Sequence, residues 1–127
     1  MSPIAGIGVD ILEVARVAQA RARFGDRFLE RVFTEGERLY CLARVDWACA
    51  LAGRFAAKEA VYKALSPTSP RGMVFRDIAV DADDGRPIVS LTGEAAAMAA
   101  SRGITAIHVT ISHEKHYAVA FAVASTE

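Results

Sequence analysis

Glu59 is an acid in a place that should be apolar. It lies in the run Gly53-Arg54-Phe55-Ala56-Ala57-Lys58-Glu59-Ala60-Val61-Tyr62-Lys63-Ala64-Leu65. Ala48, Leu51, Ala52, Phe55 and Ala56 recur at helical spacing, and that stripe carried on by three or four residues reaches Glu59, then Tyr62 and Lys63. A second stripe of Ala50, Ala57, Val61, Ala64 and Leu65 makes the helix apolar on two sides, so Glu59 is expected to point inward. An inward carboxylate is costly unless a cation, a metal or a set of donors meets it. Asp10 stands on an alternating segment, Ile4 to Ile11, and shares its face with Gly6 and Gly8. Glycine at alternate strand positions suggests that another backbone or a ligand comes close there. Two carboxylates of this kind are a hard-oxygen pair suited to Mg2+, which keeps several waters and takes its remaining ligands from phosphate oxygens. Lys63, Arg54 and His113 are donors that a polyphosphate could use. No Gly-rich loop ends in Gly-Lys-Ser/Thr, so the chemistry suggested is phosphate-centred without a P-loop.

Plainer roles compete for the same residues. Glu59 and Lys63 also form an i, i+4 pair of the kind that decorates surface helices. Asp10 is equally suited to cap a helix beginning near Leu12. His113 could be a turn histidine bonding its own backbone. Ser112-His113-Glu114 cannot act as nucleophile and base by adjacency, because neighbours on a strand point to opposite faces.

The elements that must position these groups read as follows. Helix is expected from Leu12 to about Arg23 and again from Asp26 to Val32. Arg16, Ala20, Arg23 and Arg27 fall on one side, with Arg21 and Arg31 nearby. This cationic patch is either a solvated face or a dock for an acidic macromolecule. Thr34 and Glu37 form a capping box that opens a helix to about Leu42. The long helix from Asp46 to Leu65 stops at Ser66-Pro67-Thr68-Ser69-Pro70-Arg71-Gly72. Strands are expected at Phe75 to Val80 and Pro87 to Leu91 around the turn Asp83-Asp84-Gly85-Arg86, then an alanine-rich helix capped by Thr92 and ending at Gly103. Ala106 to Ser112 and Tyr117 to Ala124 close the chain. Ile7, Val9 and Ile11 are expected on the core face of the first strand, and Ile107, Val109 and Ile111 opposite Tyr117, Val119, Phe121 and Val123. The pattern is α+β, a small antiparallel sheet packed on a long central helix.

Composition narrows the field further. The chain's 127 residues suffice for one domain with a real core. A hydrophobic share of 53% is high for that size and points to apolar surface buried between subunits. Fifteen acidic and fifteen basic residues cancel, leaving no global field for nucleic acid or an anionic membrane. Met1-Ser2-Pro3-Ile4-Ala5-Gly6 has no features of a signal peptide, so a cytoplasmic protein is expected. Cys41 and Cys49 lack the spacing of a zinc site and read as free structural thiols.

Three stretches together resemble a known family. Gly6-Ile7-Gly8-Val9-Asp10-Ile11 with Arg16 following, Phe55-Ala56-Ala57-Lys58-Glu59-Ala60 with Lys63 following, and Ile111-Ser112-His113-Glu114 before a Tyr-Ala-Val-Ala strand are similar to the signatures of holo-[acyl-carrier-protein] synthases, the small phosphopantetheinyl transferases. The likeness is colinear and extends to Phe33-Thr34-Glu35-Gly36-Glu37 and to Gly85-Arg86-Pro87. It implies a single transferase domain over residues 1–127 with the fold of that family, moving the 4'-phosphopantetheine arm of coenzyme A to a serine of apo acyl carrier protein and releasing adenosine 3',5'-bisphosphate. It further implies Asp10 and Glu59 as Mg2+ ligands, Lys63 as a phosphate clamp helping the leaving group, Arg54 and His113 on coenzyme A phosphates, and Arg16, Arg23 and Arg27 on the carrier. The serine proton could go to Glu59 or to a water on the metal. Similar enzymes are homotrimers with sites between subunits, and many carry a glycine-rich loop where this chain has Ser66-Pro67-Thr68-Ser69-Pro70. A non-catalytic module that binds coenzyme A or a carrier, and a structural oligomer, are the alternatives. The carrier served, fatty-acid or polyketide, stays open.

Overall fold

Small residues decide how closely the layers of this protein approach. A computed structural model describes residues 3–65 and 74–127. The order is β1 (Ile4–Glu13), α1 (Val14–Phe24), α2 (Asp26–Val32), α3 (Glu35–Leu42), α4 (Trp47–Leu65), a 3-10 turn (Phe75–Asp77), β2 (Ile78–Asp83), β3 (Arg86–Leu91), α5 (Gly93–Ser101), β4 (Ala106–His113) and β5 (Tyr117–Ser125). The strands form two antiparallel sheets, one ordered β1-β5-β4 and the other β2-β3. The proline-containing loop 66–72 lies outside the described residues.

Helix α4 crosses the three-stranded sheet on the side where β5 carries only alanines and β1 carries glycines. Ala120, Ala122 and Ala124 of β5 are fully buried there, against Ala56, Ala60 and Ala64 of α4, and Ala118 is fully buried with Ala50, Leu51 and Ala52. Strand β1 goes further and offers bare backbone. A Cβ on Gly6 would lie 1.9 Å from the Ala64 carbonyl oxygen, and one on Gly8 1.9 Å from that of Ala60. Only glycine fits, so helix and strand touch backbone to backbone.

This seam reverses the expected facing of β1. Ile7, Val9 and Ile11 are 64%, 45% and 65% exposed, and Tyr117 and Phe121 on the same face are 48% and 50% exposed. The register explains why: Ile7, Val9 and Ile11 pair with Val123, Phe121 and Val119, while Ile107, Val109 and Ile111 pair with Ala124, Ala122 and Ala120 and so share the helix side. Large residues alternating with small ones suggested that the large ones were core. On β1 and β5 the helix instead selects the small ones, because there its own alanines come close to the strand backbone.

Local chemistry otherwise acts as expected. Thr34 caps α3 by accepting from Glu37 N at 3.2 Å, and Glu37 Oε1 accepts from Thr34 N at 2.8 Å. Asp84 and Gly85 take φ of 51° and 81°, turning β2 into β3. Two details differ. Strand β1 continues to Glu13, which stands at the N-cap of α1 without a side-chain cap bond, so Asp10 is not a helix cap. Thr92 occupies the N-cap of α5 and likewise makes no side-chain cap bond.

Lys58 is fully buried. Its Nζ contacts Glu37 Oε1 at 2.7 Å and donates to the carbonyls of Phe75 at 3.1 Å and Ile78 at 2.5 Å, while Glu37 Oε2 accepts from Val80 N at 2.6 Å. Burial pulls the Lys58 pKa below the ordinary lysine value and the Glu37 carboxylate opposes the shift. Four elements meet at this one ion pair. Lys58→Met should lower stability by about 3–5 kcal/mol, because it leaves the Glu37 charge buried without its partner. Adding Glu37→Gln should recover part of that loss, which a double-mutant cycle of urea unfolding measures directly.

Candidate active site

The seam between β1 and α4 brings Asp10 and Glu59 to one place. Both line a cavity of 410 Å³ together with Arg16, Val17 and Ala20 of α1, Phe28 of α2 and Phe55 of α4. Lys63, one turn beyond Glu59, reaches across the seam and donates to Asp10 Oδ1 at 3.1 Å and to the Val9 carbonyl at 3.0 Å. Lys63 therefore pairs with Asp10, not with Glu59 in the helical i, i+4 manner.

Glu59 is left in an electrostatically unfavourable position. Its pKa is raised first by burial and second by the Asp10 charge, with Lys63 opposing the shift. The native state consequently holds the Glu59 proton to higher pH than the unfolded chain does. Stability falls as pH rises from the ordinary glutamate range through the raised value. Glu59→Gln removes the charge, so it should stabilise the protein at neutral pH, and the gain should vanish as pH drops below the ordinary glutamate range. Unfolding followed as a function of pH checks both limbs.

The donor set can be tested against a divalent ion on these same observations. Two carboxylates on one cavity, one of them partly buried and destabilised by the other, suit a hard cation that offsets their repulsion. Among the described residues no cluster of three or more His, Cys, Asp or Glu completes a cage. A hard ion held by two carboxylates takes its other ligands from water and phosphate oxygens.

The remaining candidate residues are divided between other places. Arg54 lines a second cavity of 210 Å³ with Gly36, Glu37, Tyr40, Val80, Asp81 and Ala82, its guanidinium 4.8 Å from the centre of the Tyr40 ring. Its Nε is buried without a hydrogen-bond partner, which is costly unless an acceptor meets it. His113 is exposed at the end of β4, its ring 4.0 Å from where a Gly53 Cβ would stand, and lines neither cavity. Arg16 borders the carboxylate cavity, whereas Arg23 and Arg27 are exposed outside it and the Arg23 guanidinium stacks 5.2 Å from the Phe24 ring. Both cysteines are free, and burial lifts the Cys41 thiol to about 11.

Sequence reasoning passed over Lys58 and Tyr40. The signal for Lys58 was present, since it continues Arg54 toward Val61 and Leu65 at helical spacing and Glu37 is a carboxylate already turned back by its capping box. Nothing in the sequence pointed to Tyr40, whose role comes from the contact between α3 and α4.

Known proteins with this geometry agree among themselves. Residues 6–122 match the model of the 4'-phosphopantetheinyl transferase superfamily. A holo-[acyl-carrier-protein] synthase of Desulforudis audaxviator is 48% identical over 95% of this chain and 92% of its own length. One from Halothermothrix orenii is 43% identical over 94% of this chain and 96% of its own. Among solved structures, the Neisseria meningitidis synthase superposes with a TM-score of 0.86 at 34% identity, covering 96% of this chain and 98% of that one. The Helicobacter pylori synthase, solved in complex with coenzyme A, superposes at 0.81 with 32% identity over 94% and 99%. On a match that runs from the first glycine of the seam into the last strand, the chain belongs to the holo-[acyl-carrier-protein] synthases of the 4'-phosphopantetheinyl transferase superfamily.

Proposed function

We propose that this protein, as a single domain, transfers the 4'-phosphopantetheine arm of coenzyme A to a serine hydroxyl of an apo acyl carrier protein and releases adenosine 3',5'-bisphosphate. The observation that carries this is the shared cavity of Asp10 and Glu59, with Lys63 held beside Asp10. Asp10 and Glu59 would hold Mg2+, which when bound supplies positive charge to the pyrophosphate oxygens as the bond to the leaving group breaks. Lys63 is half exposed and can turn from Asp10 to a phosphate, where it stabilises the departing bisphosphate. The serine oxygen forms its bond to the β-phosphorus, the bridging P–O bond breaks, and the serine proton passes to a base at the carboxylate pair, either Glu59 itself or a water held there. Arg54, with its unpaired Nε, and His113 would bind phosphates of coenzyme A.

The carrier would approach over α1. Arg16 stands at the mouth of the cavity, and Arg23 and Arg27 extend the positive face toward an acidic partner. The exposed apolar face of β1 and β5 suits contact with further copies of the chain, in a homotrimer with sites between subunits. Among the described residues no helix is long and apolar enough to cross a membrane, and a cytoplasmic setting fits the carrier substrate.

The test is an intact-mass assay of a panel of apo carrier proteins with coenzyme A and Mg2+. A gain of one phosphopantetheine on a carrier is expected, dependent on the metal and on an intact serine. Calorimetric binding of coenzyme A without any mass gain would favour a non-catalytic binding module instead.

A further inference from the structure

Arg102 stands at the C-cap of α5 and spends its guanidinium on backbone. Its Nη1 donates to the Ala64 carbonyl at 3.1 Å and also to that of Leu65, and its Nη2 donates to the carbonyl of Ala5. Ala64 and Leu65 are the last residues of α4, and Ala5 lies at the start of β1. A planar fork can serve helix end and strand at once, and a cation at a helix C-terminus also meets the dipole favourably. Two side-chain cations thus bridge α4 to β1. Lys63 does so at Val9 and Asp10, and Arg102 does so at Ala5.

The two bridges differ in permanence. Resting on the transfer function proposed above, Lys63 turns from Asp10 toward a phosphate, which loosens one bridge at the moment the carboxylates must hold still. We propose that Arg102 is a positioning residue: it bolts the end of α4 to β1 so that Asp10 and Glu59 keep their alignment toward a divalent cation when Lys63 is engaged elsewhere. It touches neither substrate nor cation. Its effect passes through the shared backbone of the seam, where Gly6 presses on the Ala64 carbonyl that Arg102 also holds.

Direct Mn2+ binding, followed by electron paramagnetic resonance in the presence of coenzyme A, tests this without relying on turnover. Arg102→Gln should weaken Mn2+ binding roughly tenfold, in the range of substitutions that act behind a metal ligand. Arg102→Lys should fall between that variant and wild type, because one ammonium reaches some of the three carbonyls. Ile78→Val, a conservative buried change in β2 that lowers the melting temperature and removes no hydrogen bond between α4 and β1, should bind Mn2+ as wild type does. Unchanged affinity in Arg102→Gln, or equal weakening in Ile78→Val, would overturn the proposal. Should Arg102→Gln fail to fold, Arg102→Lys against Ile78→Val decides it. Transfer by the wild type is scored separately: its absence overturns the catalytic reading, while the Mn2+ comparison still decides on Arg102.

Discussion

Asp10→Asn and Glu59→Gln should each reduce phosphopantetheine transfer by about a thousandfold, at the upper end of what one preorganised charge contributes to a transition state. The two variants should part company in stability. Glu59→Gln is relieved of a carboxylate that burial and Asp10 both disfavour, so it should unfold at higher denaturant than wild type at neutral pH. Asp10→Asn weakens the charge partner of Lys63, a half-exposed group, so its stability should change little. Loss of activity with gain of stability at one residue is the pattern of a site held in tension for its chemistry. Intact-mass transfer assays beside urea unfolding read both properties. Wild-type transfer rates in either variant would remove these carboxylates from the site.

Gly8→Ala should be nearly as damaging, although Gly8 touches no substrate. Its Cβ would stand 1.9 Å from the Ala60 carbonyl oxygen and ordinary contact begins at 3.4 Å, so β1 must retreat by about 1.5 Å. The obstacle is helix backbone, which has no rotamer to yield. Overpacking of this kind costs about 1–3 kcal/mol. Asp10 lies two residues along the same strand, and a displacement of about 1 Å can cost a hundredfold in rate. The expected result is a folded protein with depressed melting temperature and transfer reduced about a hundredfold. A Gly8→Ala variant with wild-type kcat would show that the seam does not set the geometry.

Which parts of this were legible beforehand follows from the range of the forces involved. The capping box of Thr34 and Glu37, the Asp84-Gly85 turn and the long helix α4 are local, so sequence spacing carries them. Asp10 and Glu59 were visible because each broke a local pattern: a charge on a glycine-faced strand and an acid on an apolar stripe. The facing of β1 was not legible. Alternation marks two faces, but which of them meets α4 depends on the alanines of β5, more than a hundred residues away. Lys58 was missed although its helical spacing toward Val61 and Leu65 was visible, because the groups that close over it, Glu37, Phe75 and Ile78, lie about twenty residues away on either side. Arg54 and His113, grouped in sequence as phosphate donors with Lys63, stand apart from the carboxylate cavity because α3 and the end of β4 hold them elsewhere.

Contact between Gly6, Gly8 and the carbonyls of Ala64 and Ala60 has a consequence for tolerance to sequence drift. A spacing kept by interlocking side chains changes whenever one of them is exchanged for a larger or smaller neighbour. Here the gauge is main chain on main chain, set by two glycines against two helix carbonyls. Exchanging the surrounding side chains should leave the spacing of the two acids unchanged for as long as both glycines stay.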